Sequence, residues 1–463
     1  MSSIPAIAIT RLDNTEIGRF LNWVTCWLVL PNLPFLPITL MGGPIRAFEI
    51  AVCGIVGLIA RRLPVWLRRI TYIALLSYLV IVFIAHMFNM SSTMIFSVVG
   101  LVTDIQPAVS PEYVGGGILV VASLVAALWM LQFDASFSDA RLVVAAGVAI
   151  VGFASLDAWI SRDTMGSYTR LAPSNAPFTS AAQQTGLLHL ANGKNNLVVV
   201  IVEAMGRPTD PQMRARLEQI WDRPELAGQF DVTLGKTAFY GSTTSGEMRE
   251  LCGRWGDYAD IKGPQPDCLP AILAAKGYRT TSYHAFTSNF FDRPRWYPLI
   301  GIQNSFFRDD LLGKGASFCP NVFAGACDRD VPRIIAEQLK DTSQPQFIYW
   351  LTLNSHIPVI EDSRLGTTNC KQLGGSADDH YPVICRMFSI WDDTARAVAE
   401  MVNQPDFPPT DILIVGDHMP PFTHQKSRLQ FDAEHVPWIL LKHRDHSGAA
   451  ITKTQGASVQ PSA

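Results

Sequence analysis

Before about residue 160 the chain is dominated by apolar runs, and that feature constrains its fold more than any other. A bilayer-crossing helix needs roughly 17–25 apolar residues. The runs are Phe20–Met41, Ala47–Ala60, Ile70–Phe88, Val114–Phe133 and Leu142–Ile160. The first carries Pro31, Pro34 and Pro37 and is expected to bend or break. The second is short and has Glu49 near its start. Five spans are expected, forming a membrane domain over residues 1–160. "RRLPVWLRR" (Arg61 to Arg69) puts four arginines between spans two and three, whereas Asn89 to Tyr113 contains no Lys or Arg. By the positive-inside rule the arginine loop is cytoplasmic, so the N-terminus lies inside and the C-terminal half outside. No small-residue cleavage site follows the first run, so it reads as an anchor rather than a removed signal. The net charge of −3 gives no reason to expect a nucleic-acid partner.

Cysteine usage bears on the same topology. Cys26 and Cys53 lie inside spans, while Cys252, Cys268, Cys319, Cys327, Cys370 and Cys385 all fall in the C-terminal half. An even number outside the cytoplasm suggests disulfides. Neighbour pairing (252–268, 319–327, 370–385) would close three short loops, although six cysteines allow 15 connectivities. Neither CxxC nor a Cys/His zinc-finger spacing occurs, so structural zinc is not expected.

Residues 161–195 read as a polar connector, and 446–463 as a low-complexity, disordered tail. Between them, residues 196–445 alternate strand and helix patterns. "NLVVVIVEA" (Asn196–Ala204), "QFIYWLTL" (Gln346–Leu353) and "DILIVGD" (Asp411–Asp417) are continuous apolar runs, the mark of strands buried on both faces. "YRTTSYHAF" and "VPWILL" are weaker strands, and "VPRIIAEQLK" and "FSIWDDTARAVAEMV" read as helices. The order implies an α/β sandwich with a mainly parallel sheet. In such sheets, ligands gather beyond the carboxyl ends of the strands.

Those ends are rich in chemistry. One delivers Glu203, another Gly416-Asp417-His418, a third Asn354-Ser355-His356, and the weaker strand His284. Carboxylates with imidazole suit a divalent metal such as zinc or manganese. "YGSTTSGEMRELCG" (Tyr240 to Gly253) adds Ser242, Thr243 and Thr244 at a helix opening. A metal can turn such a hydroxyl into a nucleophile, and free N–H groups there favour phosphate. The alternative is a plain cap, with Glu247 completing a capping box.

"VVVIVEA", "STTSGEMRELCG", "YHAFTSNFFDRPRWYPLIG", "LNSHIP" and "IVGDH" together resemble, in order, the membrane-anchored transferases of the alkaline phosphatase/sulfatase superfamily. That group includes lipoteichoic acid synthase, the glucan phosphoglycerol transferase and the lipid A phosphoethanolamine transferases. The resemblance implies an alkaline-phosphatase-like sandwich with a metal, zinc rather than manganese, on Glu203, Thr243, Asp417 and His418. Thr243 would be the catalytic nucleophile, with His284, Arg293, His356 and His424 binding the phosphodiester. It implies a protein of the bacterial inner membrane with an extracytoplasmic catalytic domain. That domain would move a phosphoethanolamine or phosphoglycerol headgroup from a phospholipid donor to a glycan or glycolipid acceptor, through a phospho-threonine, releasing diacylglycerol. A membrane-anchored phosphodiesterase or phosphatase, or a non-catalytic subunit of an envelope-polysaccharide machine, are the alternatives. The pattern departs from the family at Ala204, where Ser is frequent, and in the two prolines of "MPPFTHQKS". A sulfatase activity is rejected, because "CLPAI" lacks the arginine of C/S-x-P-x-R. Glu49, His86 and Asp157, all near span ends, are expected to snorkel towards water. "SSTMIFSVVGLVTDI" is expected to lie along the interface, lining the way from bilayer to site.

Overall fold

The computed structural model describes residues 14–41, 43–87, 104–162 and 172–444. The expected C-terminal tail, part of the connector and nearly all of "SSTMIFSVVGLVTDI" lie outside them.

The N-terminal part is helical throughout. Helix α1 (Asn14–Val24) continues through a π turn (Thr25–Val29) and breaks before α2 (Leu36–Met41), the pair bending by 43°. The break lies where Pro31 and Pro34 deny backbone donors to the preceding turn. Then come α3 (Ala47–Ala60), α4 (Val65–Met87), α5 (Pro111–Met130) and α6 (Ala140–Ile160). Among the described residues, three helices are long and apolar enough to cross a membrane, four if the bent pair is one span. The expected five is reduced by α3, whose 14 residues reach only about 21 Å against a hydrocarbon core of about 30 Å. Helix α3 still links the two ends of its neighbours. The Arg46 N–H at its start donates to Asp157 Oδ2 (2.6 Å), and the Arg61 guanidinium at its end lies 5.0 Å from the Phe137 ring.

The expected snorkelling does not occur for two of the three ionisable residues. Glu49 and Asp157 are 4% and 5% exposed. Their charges are met inside the bundle instead: Asp157 by the Arg46 N–H, and Glu49 with His86 Nδ1 3.9 Å away. Arg46 itself is buried, its guanidinium 3.6 Å from the Phe35 ring centroid. A local partner removes the need to reach water.

The C-terminal part is built on a seven-stranded sheet in the order β2-β9-β8-β1-β7-β3-β4. The strands are β1 (Asn196–Val202), β2 (Phe230–Ala238), β3 (Arg279–His284), β4 (Asn304–Phe306), β7 (Gln346–Leu351), β8 (Thr410–Gly416) and β9 (His435–His443). β1 is central and runs parallel to both β7 and β8, and β3 continues the parallel set with β7 and β4. The antiparallel pairings are β8–β9 and β9–β2, at one side, so β9 alone runs against the other strands. Every residue of β1, β7 and β8 is buried, which explains their largely apolar composition. Helices α7 (Pro211–Trp221), α8 (Thr243–Cys252), α9 (Val331–Leu339) and α10 (Pro382–Val402) pack around this sheet. Strands β2 and β4 were not read from sequence: β2 is a largely exposed edge, and β4 has three residues.

A hairpin of β5 (Phe318–Cys319) and β6 (Gly325–Ala326) stands apart. The disulfides are Cys252–Cys268, Cys319–Cys327 and Cys370–Cys385, the neighbour pairing; Cys26 and Cys53 are free and buried.

Asp328, beside that hairpin, accepts the N–H groups of Leu353 (2.9 Å) and Asn354 (2.6 Å), so it fixes the chain beyond β7. Burial pushes its carboxyl up to about 7, and its Oδ1 has no hydrogen-bond partner among the described residues. The folded form therefore holds the proton more tightly than the unfolded chain. Its stabilising contribution is complete below pH 3.8 and is lost as pH rises through about 7. In Asp328→Asn the amide oxygen can keep both N–H bonds. This variant should raise Tm above wild type at a pH over about 7, with the gain shrinking towards pH 3.8. An offset independent of pH in paired melting curves would refute this.

Candidate active site

The parallel register decides what meets at the sheet edge. Val202 on β1 aligns with Gly416 on β8, so Glu203 and Asp417 leave adjacent strands at the same level. Directly after Glu203 the chain turns at Ala204 with φ +52°, a left-handed conformation uncommon for a residue with a side chain. That turn aims the Ala204 N–H at Asp417 Oδ1 (2.8 Å), which also accepts the His418 N–H (2.7 Å). From β7, Thr352 Oγ1 accepts the Glu203 N–H (2.9 Å), and Ser355 Oγ donates to the Glu203 carbonyl (2.6 Å).

Thr243 opens α8 against this edge. Its hydroxyl donates to Glu203 Oε2 at 3.2 Å and lies 3.3 Å from His418 Nε2. The Nδ1 of His418 donates to the Met419 carbonyl (2.8 Å), which leaves the Nε2 lone pair facing Thr243. The plain-cap alternative fails here: Ser242 is the N-cap residue but makes no side-chain capping bond, and Glu247 is engaged elsewhere. Two glycines permit close approach here, Gly246 between helix and strand end and Gly416 between that strand end and the turn after β1. A Cβ on Gly246 would come within 2.9 Å of the Asp417 Cβ, and one on Gly416 within 2.0 Å of the Met205 carbonyl oxygen.

Ligating atoms of Glu203, Asp417 and His418 all lie within 4.8 Å of one another, and all three residues are buried. Burial and then the charge of Asp417 push the Glu203 carboxyl well above the usual carboxylate range. Asp417 Oδ2 is buried without a hydrogen-bond partner among the described residues. Two carboxylates pressed together out of water, one with an oxygen that makes no hydrogen bond among the described residues and lies 3.3 Å from His418 Nε2, form a set that a divalent cation would complete. With an imidazole nitrogen and a hydroxyl beside them, the donors fit a metal of the zinc or manganese type.

Of the four residues expected to bind substrate, His356 reaches the cluster. His356 Nε2 lies 4.0 Å from Glu203 Oε1, and burial lowers its pKa to about 4, so it is neutral at pH 7. His284 donates through Nδ1 to the Leu351 carbonyl (3.2 Å), and its buried Nε2 has no partner among the described residues. Burial, and then Arg293, hold its pKa well below the ordinary histidine value. His424 is exposed and bonds through Nδ1 to Ser427 Oγ (3.2 Å), not to the cluster. Arg293 is fully buried, and its fork faces a protein carboxylate. Nη2 and Nε donate to Glu247 Oε2 (2.9 Å) and Oε1 (3.4 Å), and Nη1 to the Phe290 carbonyl (3.0 Å).

Sequence reading missed the residues that hold α8 in place. Arg249 donates to the carbonyls of Asp417 (3.0 Å) and Gly416 (2.6 Å) and to Glu250 (2.6 Å). Glu247 also accepts the hydroxyls of Tyr297 (2.6 Å) and Tyr349 (2.8 Å). One signal was available. In "TTSGEMRELC" the charges at 247, 249 and 250 spread around the helix instead of forming one wet face, and nine of the ten residues are buried.

Arg293→Met should lower stability by roughly 3–5 kcal/mol, because it strands the buried Glu247 charge. Combining it with Glu247→Gln should recover a substantial part of that loss. Additive losses in denaturant titrations would show that the pair is not the anchor described.

A family model described as Sulfatase matches residues 195–452. No curated protein sequence shows significant similarity to the chain. Solved structures similar to it include the lipoteichoic acid synthase LtaP of Listeria monocytogenes, with TM-score 0.42, 16% identity and coverage of 60% of this chain and 70% of that one. The phosphoglycerol transferase GacH of Streptococcus pyogenes, in complex with sn-glycerol-1-phosphate, gives 0.38, 14%, 56% and 74% in the same order. The C-terminal periplasmic domain of EptC of Escherichia coli, in complex with Zn, gives 0.37, 16%, 54% and 74%. At these values the likeness is remote and identifies no substrate. Cys268, the nearest approach to C/S-x-P-x-R, is bonded to Cys252. With a matched segment spanning more than half of its length, the chain belongs to the Sulfatase family of enzymes.

Proposed function

We propose that the chain is a membrane-anchored phosphotransferase that moves a phospholipid headgroup, phosphoethanolamine or phosphoglycerol, onto an extracytoplasmic glycan or glycolipid. One observation carries the reading: the Thr243 hydroxyl opens a helix N-terminus within hydrogen-bond reach of both Glu203 and His418. The Thr243 oxygen attacks the phosphorus, and its proton has an acceptor in place at Glu203 Oε2. The bond from phosphorus to the diacylglycerol oxygen breaks, that oxygen takes the proton received from Thr243, and the headgroup stays on Thr243. An acceptor hydroxyl then attacks the phosphorus, the bond from phosphorus to the Thr243 oxygen breaks, and the acceptor's proton goes to Thr243. His284 and His356, both neutral, offer uncharged contacts to the phosphodiester oxygens. The α8 N-terminus adds backbone N–H groups. A divalent cation on Glu203, Thr243, Asp417 and His418 would supply the Lewis acidity that makes a threonine hydroxyl nucleophilic at neutral pH. Zinc is our choice over manganese, since the donors number four and include imidazole.

For location we propose a bacterial inner membrane, with the arginine loop cytoplasmic and the disulfide-bearing domain outside.

The test uses full-length protein in detergent with phosphatidylethanolamine or phosphatidylglycerol carrying a fluorescent acyl chain. Wild type should release diacylglycerol from one of them. Thr243→Ala should lower that release by roughly a thousandfold or more, and a chelator should abolish it. Release that survives Thr243→Ala would overturn the mechanism. Headgroup phosphate recovered free in solution in the presence of acceptor would make the chain a hydrolase.

A further inference from the structure

The last described residues before the membrane helix α5 touch the catalytic domain at one place. The Gln106 N–H donates to the Val322 carbonyl (2.8 Å), and Asp104 Oδ2 accepts the Thr287 hydroxyl (3.3 Å). Ile105, between them, packs against the core of the α/β domain. Four residues beyond Gln106, Ser110 is the N-cap of α5, so only a short segment separates these contacts from a helix apolar enough to cross a bilayer.

What they touch is the wall of the candidate site. Val322 lies at the fully buried tip of the β5–β6 hairpin, which the Cys319–Cys327 disulfide closes. On either side of it, Asn321 donates to the His356 carbonyl (3.3 Å), and the Phe323 ring lies 3.9 Å from the His356 ring. The hairpin also reaches the chain after His284: the Ala326 N–H donates to the Ala285 carbonyl (2.9 Å). Thr287, the partner of Asp104, is three residues beyond His284. Both histidines assigned to the phosphodiester are thus braced by elements that the membrane-proximal segment holds.

We propose that Asp104–Gln106 is a positioning strap, which sets the His284 and His356 wall relative to the bilayer and so favours a donor that is still embedded in it. The proposal rests on the phospholipid-transferase reading for its substrate, but its geometry does not. None of the three residues touches the candidate metal set, so they tune access and alignment and not the chemical step.

The test uses the full chain reconstituted in vesicles containing the donor phospholipid, with Gln106→Pro, which removes the N–H, and Thr287→Val, which removes the hydroxyl at nearly constant volume. Hydrogen–deuterium exchange reads the strap without any activity. Gln106→Pro should speed exchange in peptides covering 318–327 and 353–357 by about fivefold, the worth of one hydrogen bond, while α4 and α6 stay unchanged. Unchanged exchange in those peptides overturns the proposal whatever the activity. Turnover then separates positioning from general support. In both variants KM for vesicle phospholipid should rise by about fivefold or more, with kcat and hydrolysis of bis(p-nitrophenyl) phosphate near wild type. Equal losses on both substrates overturn the strap as a specificity device. If wild type cleaves the soluble ester but no phospholipid, the transferase reading fails, and the exchange result alone decides the strap.

Discussion

Two carboxylates, Glu203 and Asp417, are buried side by side at the ends of adjacent parallel strands, and much of the surrounding structure holds them there. Like charges out of water repel, so their placement has to be enforced from outside the pair. The left-handed turn at Ala204 brings one N–H to Asp417, and the His418 N–H brings another. Gly416 lets the Met205 carbonyl approach, and Gly246 lets α8 lie against Asp417. Arg249 ties the same helix to the carbonyls of residues 416 and 417. The result is a buried, electron-rich cluster whose carboxylates are held in place by the surrounding backbone.

The helix carrying Thr243 illustrates how polar groups can take the place of an apolar stripe. It sinks nine of its ten residues into the domain, yet three of them are Glu247, Arg249 and Glu250. Each finds an opposite charge or a dipole: Arg293 and two tyrosine hydroxyls for Glu247, backbone carbonyls for Arg249, and the Ala181 and Ala182 N–H groups for Glu250. Such networks specify one orientation, because any rotation of the helix would leave a buried charge unpaired. The same physics operates in the N-terminal bundle, where the Arg46 N–H meets Asp157 and His86 lies beside Glu49, so that neither carboxylate reaches for water.

Much of this was legible from the chain. Strands β1, β7 and β8 announced themselves as unbroken apolar runs, and the residues just beyond them supplied Glu203, His356, Asp417 and His418. Neighbour pairing of the six cysteines, one of 15 connectivities open to the sequence, agrees with the three bonds observed. Arg293 was legible as a residue near the site but not in its engagement: a fork that fits phosphate fits a carboxylate equally well, and nothing local reveals that Glu247 waits on another helix. His424 was legible as a histidine after the Asp417-His418 pair, but its exposure and its bond to Ser427 are set by the path of the chain, which periodicity does not encode.

By itself, the sequence determined the division into an oily helical half and an α/β half, the parallel core strands and the residue types at their ends, since each of these follows from hydrophobic period and strand polarity within a single segment. Tertiary structure alone decided which of those ends sit at one level, that Thr243 faces Glu203 and His418, that Arg293 turns to Glu247, and that a segment next to a membrane helix braces the wall behind His356. These are contacts between residues far apart along the chain. They depend on register, on the close approach that two glycines permit, and on which buried charge finds which partner, and those quantities exist only once the strands and helices have packed.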